Sequence, residues 1–185
     1  MSKSQDAAYK ALLAETDSLF HGSIVKGVLL DATLALKQGR HRAAVILTYS
    51  GIDAIASLMR PAAKDRVNRK DFIGSVDKYL IFGVDGAPTG VELYSARCGI
   101  LHAYSVESDF TKQGKARQIG YVNFADKAVL NDPEAPNLVL LSIRDLIRGF
   151  AKGLQQSWKD IEASPDLVRL VHQRLQLLFQ EFRQH

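Results

Sequence analysis

The sequence predicts a mainly α-helical protein, an antiparallel helical bundle in which residues 1–185 form a single domain, with a small β-hairpin around residues 117–141. Apolar residues recur at three- and four-residue intervals along most of the chain, which is the helical period. One segment near residue 120 alternates with a period of two, as strands do. With 46% hydrophobic and 24% charged residues, a chain of this length can bury one hydrophobic core without disulfides or metals.

The composition excludes several classes of protein. Cys98 is the single cysteine, so an internal disulfide is impossible, and no Cys/His cluster has zinc-ligand spacing. We therefore expect no metal and no cofactor. No uninterrupted apolar run approaches the roughly 20 residues that span a bilayer, and the N-terminal segment carries acids where a signal peptide needs its apolar centre. These features predict a cytoplasmic protein without membrane contact.

The first part of the chain predicts two long helices. Residues 5–37 form the first, with a candidate break at His21–Gly22, and Gly39 is the residue type that closes a helix. Residues 40–60 are nearly continuous in apolar character, which predicts a central helix covered on several sides. Pro61 ends this helix because proline cannot continue the backbone hydrogen bonding.

Shorter elements are predicted next. Residues 61–69 indicate a basic loop, and residues 71–82 a short helix with one apolar stripe. The Gly, Pro and Asp content of residues 83–90 predicts a turn. Thr89 then begins a further helix, because Glu92 stands three positions later and completes a capping box.

That helix is expected to end near residues 104–105, with a polar loop over residues 106–116. Residues 117–125 predict a strand, and residues 137–141 are expected to pair back with it as an antiparallel ribbon.

Two amphipathic helices complete the prediction. Ser142 with Asp145 is a helix-start pattern, and the apolar stripe that follows predicts a helix to about Ala163. Ser164 and Pro165 then begin the last helix. Stripes of this kind predict a bundle wall or an interaction surface.

The strongest functional candidates are Arg97 and His102, five positions apart inside the apolar segment VELYSARCGILHAY at Val91–Tyr104. A guanidinium and an imidazole are costly to bury unless something pairs with them. Arginine can clamp phosphate oxygens, and histidine can transfer protons near neutral pH. Positions five apart in a straight α-helix lie about 140° apart around the axis. The pair therefore makes a poor site within one chain unless the helix is distorted between its two members.

The predicted central helix contains polar residues that bear on this pair. Tyr49 and Asp53 are four apart and share one helical face. They could form an internal hydrogen-bonded pair that orients neighbouring helices, or they could hold Arg97 or His102 in place. A third interpretation is that Arg97 and His102 form a satisfied polar contact between helices without any function, in which Asp53 or Tyr49 neutralises the charge.

Basic residues cluster at three turns of the predicted fold, and the net charge is +4. Each cluster by itself indicates a solvated loop. Taken together, the three clusters indicate one phosphate-facing surface. The candidate RNA-binding residues are Arg40, Arg42, Arg66, Arg69, Lys112 and Lys115.

The segments YSGIDAIASL at residues 49–58 and YSARCGILHAY at residues 94–104 resemble the HEPN family, the higher eukaryotes and prokaryotes nucleotide-binding domains. The resemblance covers about residues 5–105 and includes the short signature of Arg, four to six residues, then His. It implies a helical bundle that forms a homodimer, with the motif helices facing each other. It also implies a metal-independent ribonuclease, of the toxin or phage-defence type, in which Arg97 and His102 are the catalytic pair. An antitoxin or another protein is then an expected partner, besides RNA or a nucleotide.

One position departs from the family pattern. Cys98 follows Arg97, where the ribonuclease members usually carry Asn, Asp or His. Judged from the residues alone, this cysteine packs as a small hydrophobic group. A non-catalytic HEPN-like module that binds RNA, a nucleotide or a partner protein is therefore the alternative function.

Overall fold

The computed structural model of the protein describes residues 3–80, 82–103, 108–123 and 127–178. In this part of the chain, the structure consists of α-helices, two π-helical segments and a small three-stranded sheet. The elements are α1 (Lys3–Phe20), π1 (His21–Leu29), α2 (Leu30–Lys37), α3 (His41–Met59), α4 (Arg69–Tyr79), α5 (Gly90–Cys98), π2 (Gly99–Ala103), α6 (Asp109–Lys112), β1 (Gln118–Val122), β2 (Val129–Asn131), β3 (Leu138–Ser142), α7 (Ile143–Glu162) and α8 (Pro165–Leu178). The sheet packs against α5 and α7. The predicted mainly helical fold is confirmed.

The first predicted helix is present as α1, π1 and α2 in one continuous helical path. The candidate break at His21–Gly22 is wrong, because the chain changes its hydrogen-bonding pattern there without leaving the helix. At the end of π1 the N–H of Leu30 donates to the carbonyl of Val25, five residues back.

Gly39 ends α2, as predicted. Its φ of 71° lies in the left-handed region that glycine adopts without steric cost. The N–H of Arg40 donates to the carbonyl of Ala35 at 2.8 Å, and the N–H of Gly39 donates to that of Leu36 at 3.0 Å. These two bonds form a Schellman motif, which reverses the chain within two residues. Helix α3 therefore starts immediately after α2 and packs against it.

Helix α3 is the central helix of the bundle, as predicted, and packs against α2, α4, α7, α8 and π1. Its side chains Tyr49 and Ile52 are fully buried in the common core. A Cβ atom at Gly51 would overlap the ring of Phe150 on α7, so only glycine allows the two helices to approach this closely.

A buried arginine from α8 donates hydrogen bonds to the backbone carbonyls at the C-terminal end of α3. The guanidinium of Arg174 donates to the carbonyls of Leu58 and Arg60, each at 2.6 Å, and to that of Pro61 at 3.2 Å. These carbonyls lie at the last turn of α3 and have no later helical donors. Arg174 therefore joins the last helix to the central one through charge-assisted hydrogen bonds.

Two predicted boundaries are corrected. The short helix predicted at residues 71–82 is α4, which starts earlier, at Arg69, because Asn68 and Asp71 form a capping box. The polar loop predicted at residues 106–116 contains the single-turn helix α6, which Ser108 caps through the N–H groups of Phe110 and Thr111. The predicted end of the motif helix near residues 104–105 lies outside the described residues.

The predicted β-ribbon has the correct partner strands but the wrong direction. β1 pairs with β3 in parallel, with Gln118 opposite Leu138, and the short β2 pairs with β3 antiparallel on its other side. The strand order is β1-β3-β2. The chain between β1 and β3 is long enough to return to the starting edge, so β3 can run alongside β1 in the same direction.

The two C-terminal helices agree with the prediction. The Ser142 hydroxyl accepts from the N–H of Asp145 at the start of α7, which ends at Glu162. Helix α8 follows almost immediately.

Two described helices are long and apolar enough to cross a membrane by length and composition alone, Ser4–Lys37 and His41–Met59. The sequence-based expectation considered only uninterrupted apolar runs, whereas a window average tolerates a few charges. The second of these helices is the core helix α3, half of whose window is buried.

Helix α5 is fixed at its start by a buried carboxylate. Glu92 forms the predicted capping box with Thr89, and its two oxygens also accept from Arg117, at 2.5 Å from Nε and 3.1 Å from Nη2. Asp77 of α4 accepts from the N–H of Gly90 at 2.7 Å. Burial acts to raise the pKa of Glu92, but the bonds from Arg117 and Thr89 outweigh it and hold the pKa below its ordinary value.

Replacing Glu92 by Gln should lower the free energy of unfolding at pH 7 by about 2 kcal/mol, because Arg117 loses its charged partner. The folded-state pKa is lower than the unfolded one, so this contribution is complete above the unfolded pKa of about 4.3 and is lost as the pH falls through the folded pKa. Urea unfolding of wild type and E92Q should therefore differ at neutral pH and converge in acid.

The matched control is Asp166→Asn. Asp166 pairs with Arg169 across one turn of α8, but its side chain is 95% exposed. Such a pair contributes about 0.5 kcal/mol or less. An E92Q defect of the same size at neutral and acid pH would contradict the role assigned to the Glu92–Arg117 pair.

Candidate functional site

Arg97 is the member of the predicted catalytic pair whose side chain the structure describes, and a residue of the central helix holds it in place. Arg97 of α5 donates from Nε to Oδ2 of Asp53 on α3 at 2.8 Å. The two side chains are 22% and 25% exposed, so the pair lies at the edge of the core and still reaches solvent. Of the two residues proposed to hold the pair, Asp53 contacts Arg97.

Asp53 maintains the charge on Arg97. Partial burial acts to lower the pKa of Arg97, but the hydrogen bond and the negative charge of Asp53 outweigh it and raise the pKa above its ordinary value. The bond uses the Nε side of the guanidinium plane. An arginine held in this way presents a fixed positive charge, which suits it to bind phosphate or to stabilise a developing negative charge.

Tyr49 does not contact Arg97. Its hydroxyl is 2.8 Å from that of Tyr121 on β1, and burial raises the pKa of both phenols. Tyr49 therefore joins α3 to the sheet. Tyr49 and Asp53 share a face of α3, as predicted, but Tyr49 contacts the sheet and Asp53 contacts α5.

Cys98 is half-buried beside the arginine. Its Sγ lies 4.0 Å from Nη1 of Arg97, at the limit of a weak sulfur hydrogen bond.

A chain of contacts between aromatic and cationic side chains begins at Arg97. The Tyr94 ring lies 6.0 Å from the Arg97 guanidinium carbon, and its edge meets the Phe110 ring at a centroid distance of 6.0 Å. Arg69 lies over Phe110 at 5.4 Å. We call Asp53, Arg69, Tyr94, Arg97 and Phe110 the Arg97 cluster. Its alternation of cations and flat rings is typical of surfaces that bind single-stranded nucleic acid.

The backbone of His102 lies in π2. The side chain of His102 lies outside the described part of the structure. Each residue of a π-helix turns through a smaller angle than in an α-helix, so positions 97 and 102 are closer around the axis than a straight α-helix predicts. The helix is thus distorted between the two motif residues.

The basic turns that were expected to form one surface lie on different elements. Arg40 and Arg42 lie at the start of α3, which is about 27 Å long, whereas Arg66 and Arg69 follow its end in the chain. Lys112 lies on α6 with Phe110, so the second and third turns are close together. One continuous surface through all three turns stays a prediction.

Individual basic residues also differ in their surroundings. Lys64, next to Arg66 in the predicted loop, is paired with Asp71 at 2.5 Å. Lys115 donates to the side chain of Gln113 at 2.7 Å and is exposed.

Sequence reasoning missed the aromatic members of the Arg97 cluster. Tyr94 stands three positions before Arg97, which places both on neighbouring turns of one helix, so a local signal was present. Phe110 had no such signal, because its approach to Tyr94 depends on how α6 packs on α5.

In the described ranges, no group of three or more His, Cys, Asp or Glu side chains is arranged to hold a metal ion. Comparison with family models, with curated proteins and with solved structures found no match for this chain.

The Arg97–Asp53 bond should be measurable as a coupling energy. In a double-mutant cycle of Asp53→Asn and Arg97→Gln, we expect a coupling of about 1 kcal/mol in the free energy of unfolding, because the pair is only partly exposed. Urea unfolding of the wild type, both single variants and the double variant provides the measurement.

The matched control is the pair Asp145 and Arg148 on α7, where the arginine is 61% exposed. The same substitutions there should give a coupling of a few tenths of a kcal/mol. Equal coupling at both pairs would mean that Asp53 does not hold Arg97 more firmly than a surface contact does.

Proposed function

We propose that this chain is an HEPN-like protein that acts as a homodimeric, metal-independent endoribonuclease, of the toxin or phage-defence type. The observation that carries the proposal is the position of Arg97. It is oriented by Asp53, it reaches solvent, and it lies among aromatic rings and a second arginine on the same surface. The sequence motif supplies His102 as the proton-transfer group.

The chemistry follows from these side chains. The 2′-hydroxyl of the RNA attacks the adjacent phosphorus, the bond to the 5′-oxygen breaks, and the products are a 2′,3′-cyclic phosphate and a 5′-hydroxyl end. His102 accepts the proton of the 2′-hydroxyl and returns a proton to the departing 5′-oxygen. Arg97 stabilises the additional negative charge on the phosphorane oxygens, and Asp53 keeps the guanidinium in position while that charge develops.

The site is completed by a second chain in this proposal. A two-fold axis near α5 brings two copies of Arg97 and His102 into one cleft. The Arg69 and Phe110 side chains then flank the cleft, where a base can stack on the ring and a phosphate can pair with the arginine.

Purified protein should cleave a labelled single-stranded RNA in the presence of EDTA and leave 2′,3′-cyclic phosphate ends. Arg97→Ala and His102→Ala should each lower the cleavage rate by at least about a hundredfold, because each removes a group that acts in the transition state. Gel analysis of the fragments and of their end groups provides the measurement.

His21→Ala is the matched control, because His21 is exposed on π1, pairs with Asp17 one turn earlier and contacts the rings of Phe20 and Trp158, outside the Arg97 cluster. It should cleave as the wild type does. Mixing the Arg97→Ala and His102→Ala proteins should restore part of the activity if the site is shared between chains. No cleavage in EDTA, or full activity of His102→Ala, would remove the catalytic proposal.

The second candidate is a non-catalytic HEPN-like module that binds RNA, a nucleotide or a partner protein such as an antitoxin. Cys98 supports it, because a sulfur 4.0 Å from Arg97 stands where catalytic members carry a strongly polar group. The Arg97 cluster can bind RNA without cleaving it, through stacking and phosphate contacts.

Cys98→Asn distinguishes the two candidates. If the wild type binds RNA without cutting it, the asparagine should add a strong hydrogen-bonding group beside Arg97 and produce measurable cleavage. Cys98→Ser, which is similar in size to the natural residue, is the control. Absence of binding to RNA, nucleotides and partners would count against this module.

A further inference from the structure

A cavity of about 660 Å³ opens at the start of α3, away from the Arg97 cluster. It lies between the α2–α3 turn, the α5–π2 helix and β1. A volume of this size is typical of sites for small organic ligands.

The mouth of the cavity is positively charged. Arg40, His41 and Arg42 are consecutive residues at its rim, and none of the described residues that line it is Asp or Glu. Among the described residues, the side chain of Arg40, which precedes α3, forms no capping hydrogen bond. The positive end of the helix dipole therefore adds to the charge of the arginines.

The deeper wall is aliphatic. It is formed by Val45, Ala96, Ile100, Ile119 and Ile143. Two polar side chains, Tyr121 and Asn123, lie at its edge. The Tyr121 hydroxyl is already bonded to Tyr49, so the wall offers mostly apolar contact.

We propose that this cavity binds a small organic phosphate whose body is apolar. The phosphate lies at the rim, where Arg40 and Arg42 provide charge and His41 provides a ring N–H, and the body lies against the aliphatic wall. A dianionic head group fits the rim better than a carboxylate does, because more than one cation faces it.

The cavity and the Arg97 cluster are separate sites on neighbouring faces of the same helix. Ala96 and Ile100 line the cavity, whereas Arg97 turns towards Asp53. The binding proposal does not rest on RNA cleavage, and its test contains no RNA. Failure of either proposal therefore leaves the other intact.

Phenyl phosphate, inorganic phosphate and benzyl alcohol are the probes, titrated into the full-length protein by calorimetry. Phenyl phosphate should bind with a Kd about tenfold lower than inorganic phosphate, because the ring removes apolar surface from water. Benzyl alcohol should bind more weakly than phenyl phosphate, because it lacks the charge. Equal affinity for phenyl and inorganic phosphate, or for phenyl phosphate and benzyl alcohol, would overturn the proposal.

Arg40→Gln should weaken phenyl phosphate binding by about tenfold. Arg169→Gln is the matched control, because it removes the same charge from an exposed side chain of α8 that belongs neither to the cavity nor to the Arg97 cluster, and it should leave binding unchanged. Arg69→Gln reports on the Arg97 cluster. If Arg69→Gln weakens binding and Arg40→Gln does not, the phosphate belongs to the Arg97 cluster and the proposal is wrong.

Ala43→Leu tests the body of the ligand. Ala43 lines the cavity and is half-buried, so a larger side chain there narrows the cavity. Phenyl phosphate binding should fall towards the level of inorganic phosphate, while circular dichroism and the Tm confirm a folded protein. If a folded Ala43→Leu variant still binds phenyl phosphate about tenfold more tightly than inorganic phosphate, the ring lies elsewhere and the proposal is wrong. If this variant does not fold, the Arg40→Gln result decides, because Arg40 is exposed.

Discussion

Both candidate sites depend on the position of α5, and a single buried carboxylate fixes that position. Glu92 is 6% exposed, caps the helix at Thr89 and accepts a two-pronged bond from Arg117, at the edge of β1. An unpaired buried carboxylate would cost several kcal/mol, so Arg117 and the helix start must come together when the chain folds. The result is that α5 is joined to the sheet on one side and to α4, through Asp77, on the other.

The central helix α3 keeps two anion-attracting regions apart. Its start opens into the cavity with Arg40 at the rim, and Asp53, about 18 Å further along the axis, holds Arg97 near the opposite half. Charges at this distance are largely screened at physiological ionic strength where they face solvent. A phosphate bound at one of the two proposed sites would therefore not compete electrostatically with a phosphate bound at the other. The physical connection between them is α5 itself, which contributes wall residues to one site and the arginine to the other.

Much of the fold could be predicted from local patterns. The helical period, the Gly39 turn, the Thr89–Glu92 capping box and the Ser142 helix start depend on residues that are close in sequence, and each is present. The direction of the β1–β3 pairing could not be predicted, because both directions satisfy the alternating pattern of the strands. The direction of this pairing depends on β2, which lies between β1 and β3 in the chain and pairs on the far side of β3. β2 itself could not be predicted, because its three residues are too few to show a clear alternating pattern.

The sequence by itself determined the candidate residues, namely an arginine and a histidine in an apolar helix and an aspartate on the central one. Such charges inside apolar segments are visible in any register, because burial penalises them wherever the helices pack. The tertiary structure decided that Asp53 and not Tyr49 holds Arg97, that the helix becomes π-helical before His102, and that the basic turns divide between the two ends of α3. These outcomes depend on which helix faces meet across long sequence separations. No local pattern specifies those contacts, since many packings bury the same apolar stripes.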